Sequence, residues 1–158
     1  MDKTHHYSLS VKWTGNKGPG TRDYQSYERS HIILVDNKAG IAGSSDPSFR
    51  GDKTMHNPEE LFIASLSACH MLWYLHLCAD AGIIVTDYLD RATGTMVVAS
   101  NGSGRFTQVL LHPTVTITDE SRLSKADELH HTANEYCYIA NSCNFPVLHE
   151  PVFIVNGI

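Results

Sequence analysis

Residues 57–82 read NPEELFIASLSACHMLWYLHLCADAG and predict one long α-helix. Asn57 is a good N-terminal cap, and Pro58 suits the first helical position because its ring fixes a helical φ. Glu60 is placed to complete a capping box with Asn57, and Gly82 supplies the C-terminal stop. Both ends of the helix are therefore defined by local chemistry.

The helix carries apolar residues on nearly every side, which places it in a core or an interface. These residues are Leu61, Phe62, Ala64, Leu66, Ala68, Met71, Leu72, Trp73, Leu75 and Leu77. Four polar side chains interrupt the run, namely Ser65, Ser67, His70 and His76, so we expect no membrane span. A chain of this length with small sheets would cover such a helix on all sides most readily by dimerising.

The composition is that of an ordinary globular protein, with 42% hydrophobic and 18% charged residues in a chain of 158. We therefore predict a single domain over residues 1–158. The net charge of -5 argues against a nucleic-acid partner, so we expect small molecules or proteins instead. Residues 1–6 lack the apolar core of a signal peptide, which leads us to expect a cytoplasmic location.

The four cysteines, Cys69, Cys78, Cys137 and Cys143, contain no CxxC pair, so we predict no structural zinc site. Cys69 and Cys78 point to opposite sides of the helix, because nine residues correspond to about two and a half turns. A partner for Cys69 must come from elsewhere, and Cys137 and Cys143 are the candidates. We interpret Cys78 as core packing.

Ten histidines are present, but their arrangement does not predict a metal site. His5 and His6 lie at the chain terminus. His130 and His131 are adjacent on a predicted helix and therefore point in different directions.

The rest of the chain alternates between strand-like and helix-like segments. Period-two alternation and Gly-containing turns predict strands at 7–13, 31–35, 83–90, 91–99, 105–118 and 146–155, with a loop at 36–56. One alternating face is formed by Val109, Leu111, Val115 and Ile117.

A second helix is predicted to follow, because Ser124 and Asp127 resemble the capping box that marks the start of a helix. Its buried stripe comprises Ala126, Leu129, Ala133, Tyr136, Cys137 and Ala140. The order of elements predicts an α+β fold in which antiparallel sheets pack around a long central helix.

Residues 57–69, NPEELFIASLSAC, resemble the central-helix signature of the OsmC/Ohr family, the osmotically inducible and organic hydroperoxide resistance proteins. Residues 133–137, ANEYC, are similar to the second cysteine motif of that family. The resemblance implies an intertwined homodimer with two active sites at the subunit interface. It also implies thiol-dependent reduction of organic hydroperoxides, with no bound cofactor or metal and an external dithiol, lipoyl-type or another small thiol, as reductant.

Each site residue is carried over from a matching position of the family motifs. Cys69 matches the cysteine that attacks the peroxide, Cys137 the resolving cysteine, and Glu59 the glutamate at the start of the central helix. The arginine of the early loop corresponds to Arg22, or to Arg29 if the loop contains a small gap.

The chain departs from the family pattern in two places, which suggests a divergent OsmC-like subgroup. The second cysteine is followed by Tyr138-Ile139 instead of a Pro-x-Ser sequence, and His70 replaces the usual apolar or aromatic residue after the first. Cys143 has no assigned role, although it is an alternative to Cys137 as resolving thiol. A second function is also consistent with these residues: a noncatalytic dimer that binds a small apolar or thiol-reactive ligand in the same interfacial pocket.

Overall fold

The computed structural model describes residues 3–157, which contain nine strands and two α-helices. The strands are β1 (Ser10–Trp13), β2 (His31–Leu34), β3 (Ile41–Gly43), β4 (Val85–Asp90), β5 (Thr93–Val98), β6 (Gly104–Leu111), β7 (Pro113–Ile117), β8 (Val147–His149) and β9 (Val152–Val155). The helices are α1 (Pro58–Asp80) and α2 (Leu123–Tyr136). The chain forms two compact units, one ending at Leu61 and the other beginning at Phe62. The single domain expected from the sequence stays a prediction.

The first unit contains a three-stranded antiparallel sheet in the order β1-β2-β3. The first two strands are shorter than predicted, and β3 lies inside the segment 36–56 that the sequence predicts as a loop. The strand was missed because three residues, of which two are alanine and glycine, give no readable alternation.

The central helix has the ends that the sequence predicts. Asn57 Oδ1 accepts from the Glu60 backbone N–H at 2.8 Å, and Glu60 Oε2 accepts from the Asn57 N–H at 3.2 Å, which confirms the capping box. At the other end Gly82 has a φ of 66°, and the Ile83 N–H donates to the Cys78 carbonyl at 2.8 Å. This is the left-handed glycine stop typical of helix C-termini.

The second unit contains two three-stranded sheets, in the orders β4-β7-β9 and β5-β6-β8. The prediction of antiparallel sheets is confirmed for β4 with β7 and for β5 with β6, but it is wrong for β7 with β9 and for β6 with β8, which pair in parallel. The predicted strands at 105–118 and 146–155 are each split in two. Pro113 and Pro151 lie at the two breaks, and proline has no N–H for a strand ladder, so the chain changes sheet at these points.

The second helix begins one residue before Ser124, so the predicted cap there is wrong. The chain enters α2 through a 3-10 turn at Glu120–Arg122, whose cap is Asp119, with the Ser121 N–H donating to the Asp119 carboxylate at 2.9 Å. The helix also ends earlier than the predicted stripe. Cys137 is the extended C-cap residue, and Ala140 belongs to a separate 3-10 turn.

The core of the second unit consists of two clusters, and α1 contributes to both. Leu66 packs with Val109 and Leu111, while Tyr74 and Cys78 pack with β7 and α2. The predicted alternating face at Val109, Leu111, Val115 and Ile117 is buried throughout, which confirms that prediction.

Only one stripe of α1 is fully buried within the chain, and it comprises Leu66, His70, Tyr74 and Cys78. On the opposite side Ala64, Ala68 and Leu72 are exposed. By length and composition alone α1 could cross a membrane. Core helices of soluble proteins meet the same criterion, and α1 supplies residues to both core clusters.

Candidate functional site

The structure brings together the thiols of Cys69 and Cys137. Cys69 is half-buried near the middle of α1, whereas Cys137 is 1% exposed and immediately follows α2. Both are free thiols. Burial raises the pKa of Cys137 to about 11. The Ala140 N–H, 3.4 Å from the Cys137 sulfur, acts in the opposite direction, and a hydrogen bond that the Cys137 thiol donates to the Cys69 side chain raises the pKa further. Cys137 therefore remains a protonated thiol at neutral pH.

The other two cysteines are placed differently. Cys143 is half-buried and donates to the Ile139 carbonyl at 3.3 Å, and burial raises its pKa. Cys78 is 1% exposed in the core, as predicted, and burial raises its pKa too. The contact between Cys69 and Cys137 thus distinguishes Cys137 from Cys143 as a partner for Cys69.

Aromatic side chains surround the cysteine pair. The Trp73 ring, one helical turn beyond Cys69, lies 5.2 Å from the Tyr136 ring and 5.6 Å from the Tyr138 ring, measured between centroids. The prediction that Tyr136 lies on a buried stripe is wrong, because it is 50% exposed. Tyr138 is 68% exposed, and the two tyrosines flank Cys137 in the sequence. The pair therefore adjoins an accessible aromatic surface, the aromatic rim.

The remaining predicted site residues lie in the first unit. Glu59 is in the first turn of α1, and its Oε2 atom is buried with no hydrogen-bond partner within residues 3–157. Arg29 is held in place, because its guanidinium lies 4.2 Å from the ring centroids of Tyr24 and Tyr27 and donates to both of their carbonyls, at 2.7 and 2.6 Å. Arg22 is exposed, with its Nε 3.6 Å from the Asp23 carboxylate.

The sequence model of the OsmC-like protein family matches residues 51–150, which is more than half of the chain and includes both cysteine motifs. The chain belongs to the OsmC-like family. No curated protein matches it.

Solved structures of OsmC-like proteins agree with this assignment. An OsmC-like protein of unknown function from Vibrio cholerae is 32% identical, with a TM-score of 0.85 over 94% of this chain and 100% of that one. An organic hydroperoxide resistance protein from Elizabethkingia anophelis is 19% identical, with a TM-score of 0.67 over 98% and 100% of the two chains. An organic hydroperoxide resistance protein from Legionella pneumophila is 18% identical, with a TM-score of 0.64 over 96% and 100%. The last two likenesses show the fold alone.

Two buried histidines and a half-buried third lie together in this OsmC-like chain, beginning at the residue after Cys69, and sequence reasoning did not identify the group. His70 and His130 are 1% and 0% exposed and are 2.9 Å apart through Nε2 and Nδ1. The ring centroid of His149 lies 5.5 Å from that of His70 and 5.9 Å from that of His130. Within residues 3–157 no group of histidine, cysteine or carboxylate side chains is arranged to hold a metal ion. The signal was the four-residue spacing of His70 from Leu66 and Tyr74, which places it on the buried stripe.

Proposed function

We propose that this protein is a thiol-dependent peroxidase that reduces organic hydroperoxides through Cys69 and Cys137 and contributes to oxidative stress defence. The observation that carries the proposal is the contact between the half-buried Cys69 thiol and the buried Cys137 thiol. In such a pair the second thiol can convert a sulfenic acid on the first into a disulfide, with loss of water and without a cofactor. The fold shared with proteins named organic hydroperoxide resistance proteins supports the same conclusion.

The cycle begins at Cys69, because it is the more accessible thiol of the pair. Its thiolate attacks the outer peroxide oxygen, an S–O bond forms, the O–O bond breaks, and the alkoxide leaves and takes up a proton to become the alcohol. The Cys137 thiol then attacks the sulfenic sulfur, an S–S bond forms, and the S–O bond breaks. The Cys137 proton leaves with the hydroxide as water. An external dithiol reopens the disulfide and is itself oxidised, which requires a reducing compartment such as the expected cytoplasm.

Glu59 and an arginine are proposed to assist the first step. A guanidinium beside a thiol favours the thiolate, and a carboxylate can hold that guanidinium through a bidentate pair. The unpartnered buried Oε2 of Glu59 supports such a pairing. Arg22 is the better candidate because it is exposed, whereas Arg29 already makes two hydrogen bonds and two ring contacts.

The aromatic rim supports a preference for peroxides with an apolar group over hydrogen peroxide. Leu72 is 63% exposed and, with Trp73, offers apolar surface one turn beyond Cys69. Each methylene that a substrate buries there contributes about 0.8 kcal/mol to binding. The exposed apolar side of α1 at Ala64, Ala68 and Leu72 likewise supports the proposed homodimer, since a second subunit would cover it.

Thiol titration after one equivalent of cumene hydroperoxide tests the proposal. The wild-type protein is expected to lose two thiols per subunit, and mass spectrometry should locate the disulfide at Cys69 and Cys137. Cys137→Ser should accumulate a sulfenic acid at Cys69 that dimedone traps, and Cys69→Ser should lose no thiol. Cys143→Ser is the matched control and should behave as wild type. If the wild-type protein loses no thiol and consumes no peroxide, the peroxidase proposal fails and the alternative of a noncatalytic ligand-binding dimer is favoured.

A further inference from the structure

Two polar contacts at consecutive residues of α1 join it to α2 and to the residue that follows α2, in addition to the core packing between the helices. Cys69 contacts Cys137, and the next residue, His70, contacts His130 of α2. The facing ring nitrogens are 2.9 Å apart, the ring centroids are 5.2 Å apart, and the ring planes differ by 5°. Because the centroids are much farther apart than the nitrogens, the rings meet edge to edge in an N–H···N hydrogen bond. Within residues 3–157 it is the only hydrogen bond between side chains of α1 and α2.

Cys137 is connected to the histidine contact through α2. Cys137 lies seven residues beyond His130, about 10 Å along the axis of α2 and its C-cap. The Cys137 N–H also donates to the Asn134 carbonyl in the last turn of that helix, so the cysteine moves with it. A tilt or slide of α2 that opens the histidine contact therefore also withdraws Cys137 from Cys69.

Aromatic rings pack against the pair. The Tyr74 ring stacks on His130 with centroids 3.8 Å apart, and the ring of Phe153 from β9 lies 5.9 Å from that of His130. The titratable groups around the pair are Tyr74 and Cys78 of α1, Tyr88 of β4, Asp127 and His131 of α2, and His149 of β8. Asp127 is the one carboxylate among them, and it is exposed.

The contact requires that at least one of the two rings is neutral, and it is lost when both are protonated. A neutral pair supplies one N–H and one lone pair to the facing nitrogens, but two protonated rings present two N–H groups to each other. Burial, and then the charge of His149, lowers the pKa of His70 to about 4. Burial, followed by the neighbouring histidines, lowers the pKa of His130 as well. The hydrogen bond is thus intact at neutral pH and opposed by acid.

We propose that the hydrogen bond between His70 and His130 is a positioning contact that holds Cys137 at Cys69, and that acid opens it and prevents disulfide formation. The inference rests on the proposed peroxidase cycle, in which the Cys137 thiol attacks the Cys69 sulfenic sulfur and water leaves. In the open state each ring can take up a proton that it does not bind in the closed state. For each such ring, the equilibrium constant for opening rises about tenfold for every pH unit below about 6.5.

Competition between Cys137 and dimedone for the Cys69 sulfenic acid tests this proposal. The protein is treated with one equivalent of cumene hydroperoxide in the presence of dimedone at pH 7 and pH 4.5, and mass spectrometry gives the ratio of disulfide to adduct. Because pH 4.5 lies about two units below 6.5, we expect the ratio to fall about a hundredfold further in the wild-type protein than in His70→Gln, whose side-chain amide keeps a neutral donor and acceptor. His76→Gln, which removes an exposed histidine of the same helix, is the matched control and should follow the wild type.

An equal fall in the wild-type protein and in His70→Gln would overturn the proposal, as would a fall that occurs only together with loss of the helical circular dichroism signal. His130→Gln replaces His70→Gln if the latter does not fold. Diamide separates this inference from the peroxidase proposal, because it oxidises two adjacent thiols to a disulfide and is reduced to a hydrazine without any peroxide. If peroxide gives neither disulfide nor adduct, the peroxidase proposal fails. The positioning contact is then still upheld if diamide shows the same difference between wild type and variant, and is overturned if it does not.

Discussion

Replacement of His70 by glutamine should make the protein less sensitive to acid, by an amount that follows from burial of the histidine pair. In the folded protein the pKa of His70 is lowered to about 4 by burial and by His149, whereas an unfolded histidine titrates near 6.5. The unfolded chain therefore binds more protons than the folded one as the pH falls below about 6.5. The contribution of His70 to the free energy of unfolding is therefore greatest above that pH, where the ring is neutral in both states, and it decreases progressively as the pH falls below it.

The size of the effect is set by the difference in proton binding. At pH 5 an unfolded histidine is almost fully protonated while the folded ring is mostly neutral, so each ring costs about 2 kcal/mol of unfolding free energy between pH 8 and pH 5. His70 and His130 together should cost about 4 kcal/mol, and His70→Gln should reduce this to about 2 kcal/mol. Three carboxylates also have a lowered pKa. Asp46 and Asp119 each accept hydrogen bonds from a serine, and Asp52 accepts them from a threonine, which holds the pKa of each carboxylate below its usual range. These carboxylates therefore lose their contribution to the free energy of unfolding only at a pH below the range in which the histidines titrate.

Urea unfolding followed by tryptophan fluorescence, at pH 8, 7, 6 and 5 and at a fixed protein concentration, measures these changes. His76→Gln is the control, because it removes a histidine from the exposed side of the same helix. The free energy of unfolding of His70→Gln, plotted against pH, should diverge from that of the wild-type protein below about pH 6.5. The curve for His76→Gln should coincide with that of the wild-type protein. Parallel curves for wild type and His70→Gln would refute the reasoning, since they would show that His70 is not neutral in the folded protein.

Three further changes test other parts of the structure. Asn57→Ala removes the capping box of α1 and should lower the free energy of unfolding by about 1 kcal/mol in urea titrations; no change would mean that the cap is dispensable. Leu66→Ala opens a cavity at a fully buried position and should cost about 2–5 kcal/mol by the same measurement, so a loss below about 1 kcal/mol would contradict the packing. Trp73→Ala removes the centre of the aromatic rim and should lower kcat/KM for cumene hydroperoxide about tenfold while leaving that for hydrogen peroxide unchanged. Equal losses for the two peroxides would argue against selection by the rim.

The long helix could be predicted from sequence because its ends are set by residues within one turn of each terminus. Asn57, Glu60 and Gly82 act locally, and the structure shows the hydrogen bonds that these residue types imply. Sheet pairing could not be predicted in the same way, because it depends on contacts between distant segments. Nothing near Pro151 in the sequence indicates that the two halves of the closing strand join different sheets in parallel.

The candidate site shows the same division between local and distant information. Family motifs select Cys69 and Cys137, and the structure places their thiols in contact. The spacing of cysteines alone leaves Cys143 as an equal candidate. The histidine pair escaped prediction because His70 and His130 are sixty residues apart, and a histidine on an apolar helix gives no sign of its partner. The roles of Glu59, Arg22 and Arg29 stay predictions.

The order proposed for the two thiols in the peroxidase cycle follows from their surroundings. A buried thiol with a raised pKa is a poor first reagent for peroxide, because the thiolate is the reactive form and solute has little access. Cys137 has both properties, whereas Cys69 is partly accessible. The same burial suits Cys137 to the second step. Its thiol keeps its proton until the hydroxide that leaves the Cys69 sulfenic acid takes it up as water, and its sulfur is shielded from oxidation by peroxide. If the order were reversed, Cys69→Ser would still form a sulfenic acid at Cys137, so a dimedone adduct at Cys137 in that variant would contradict the assignment.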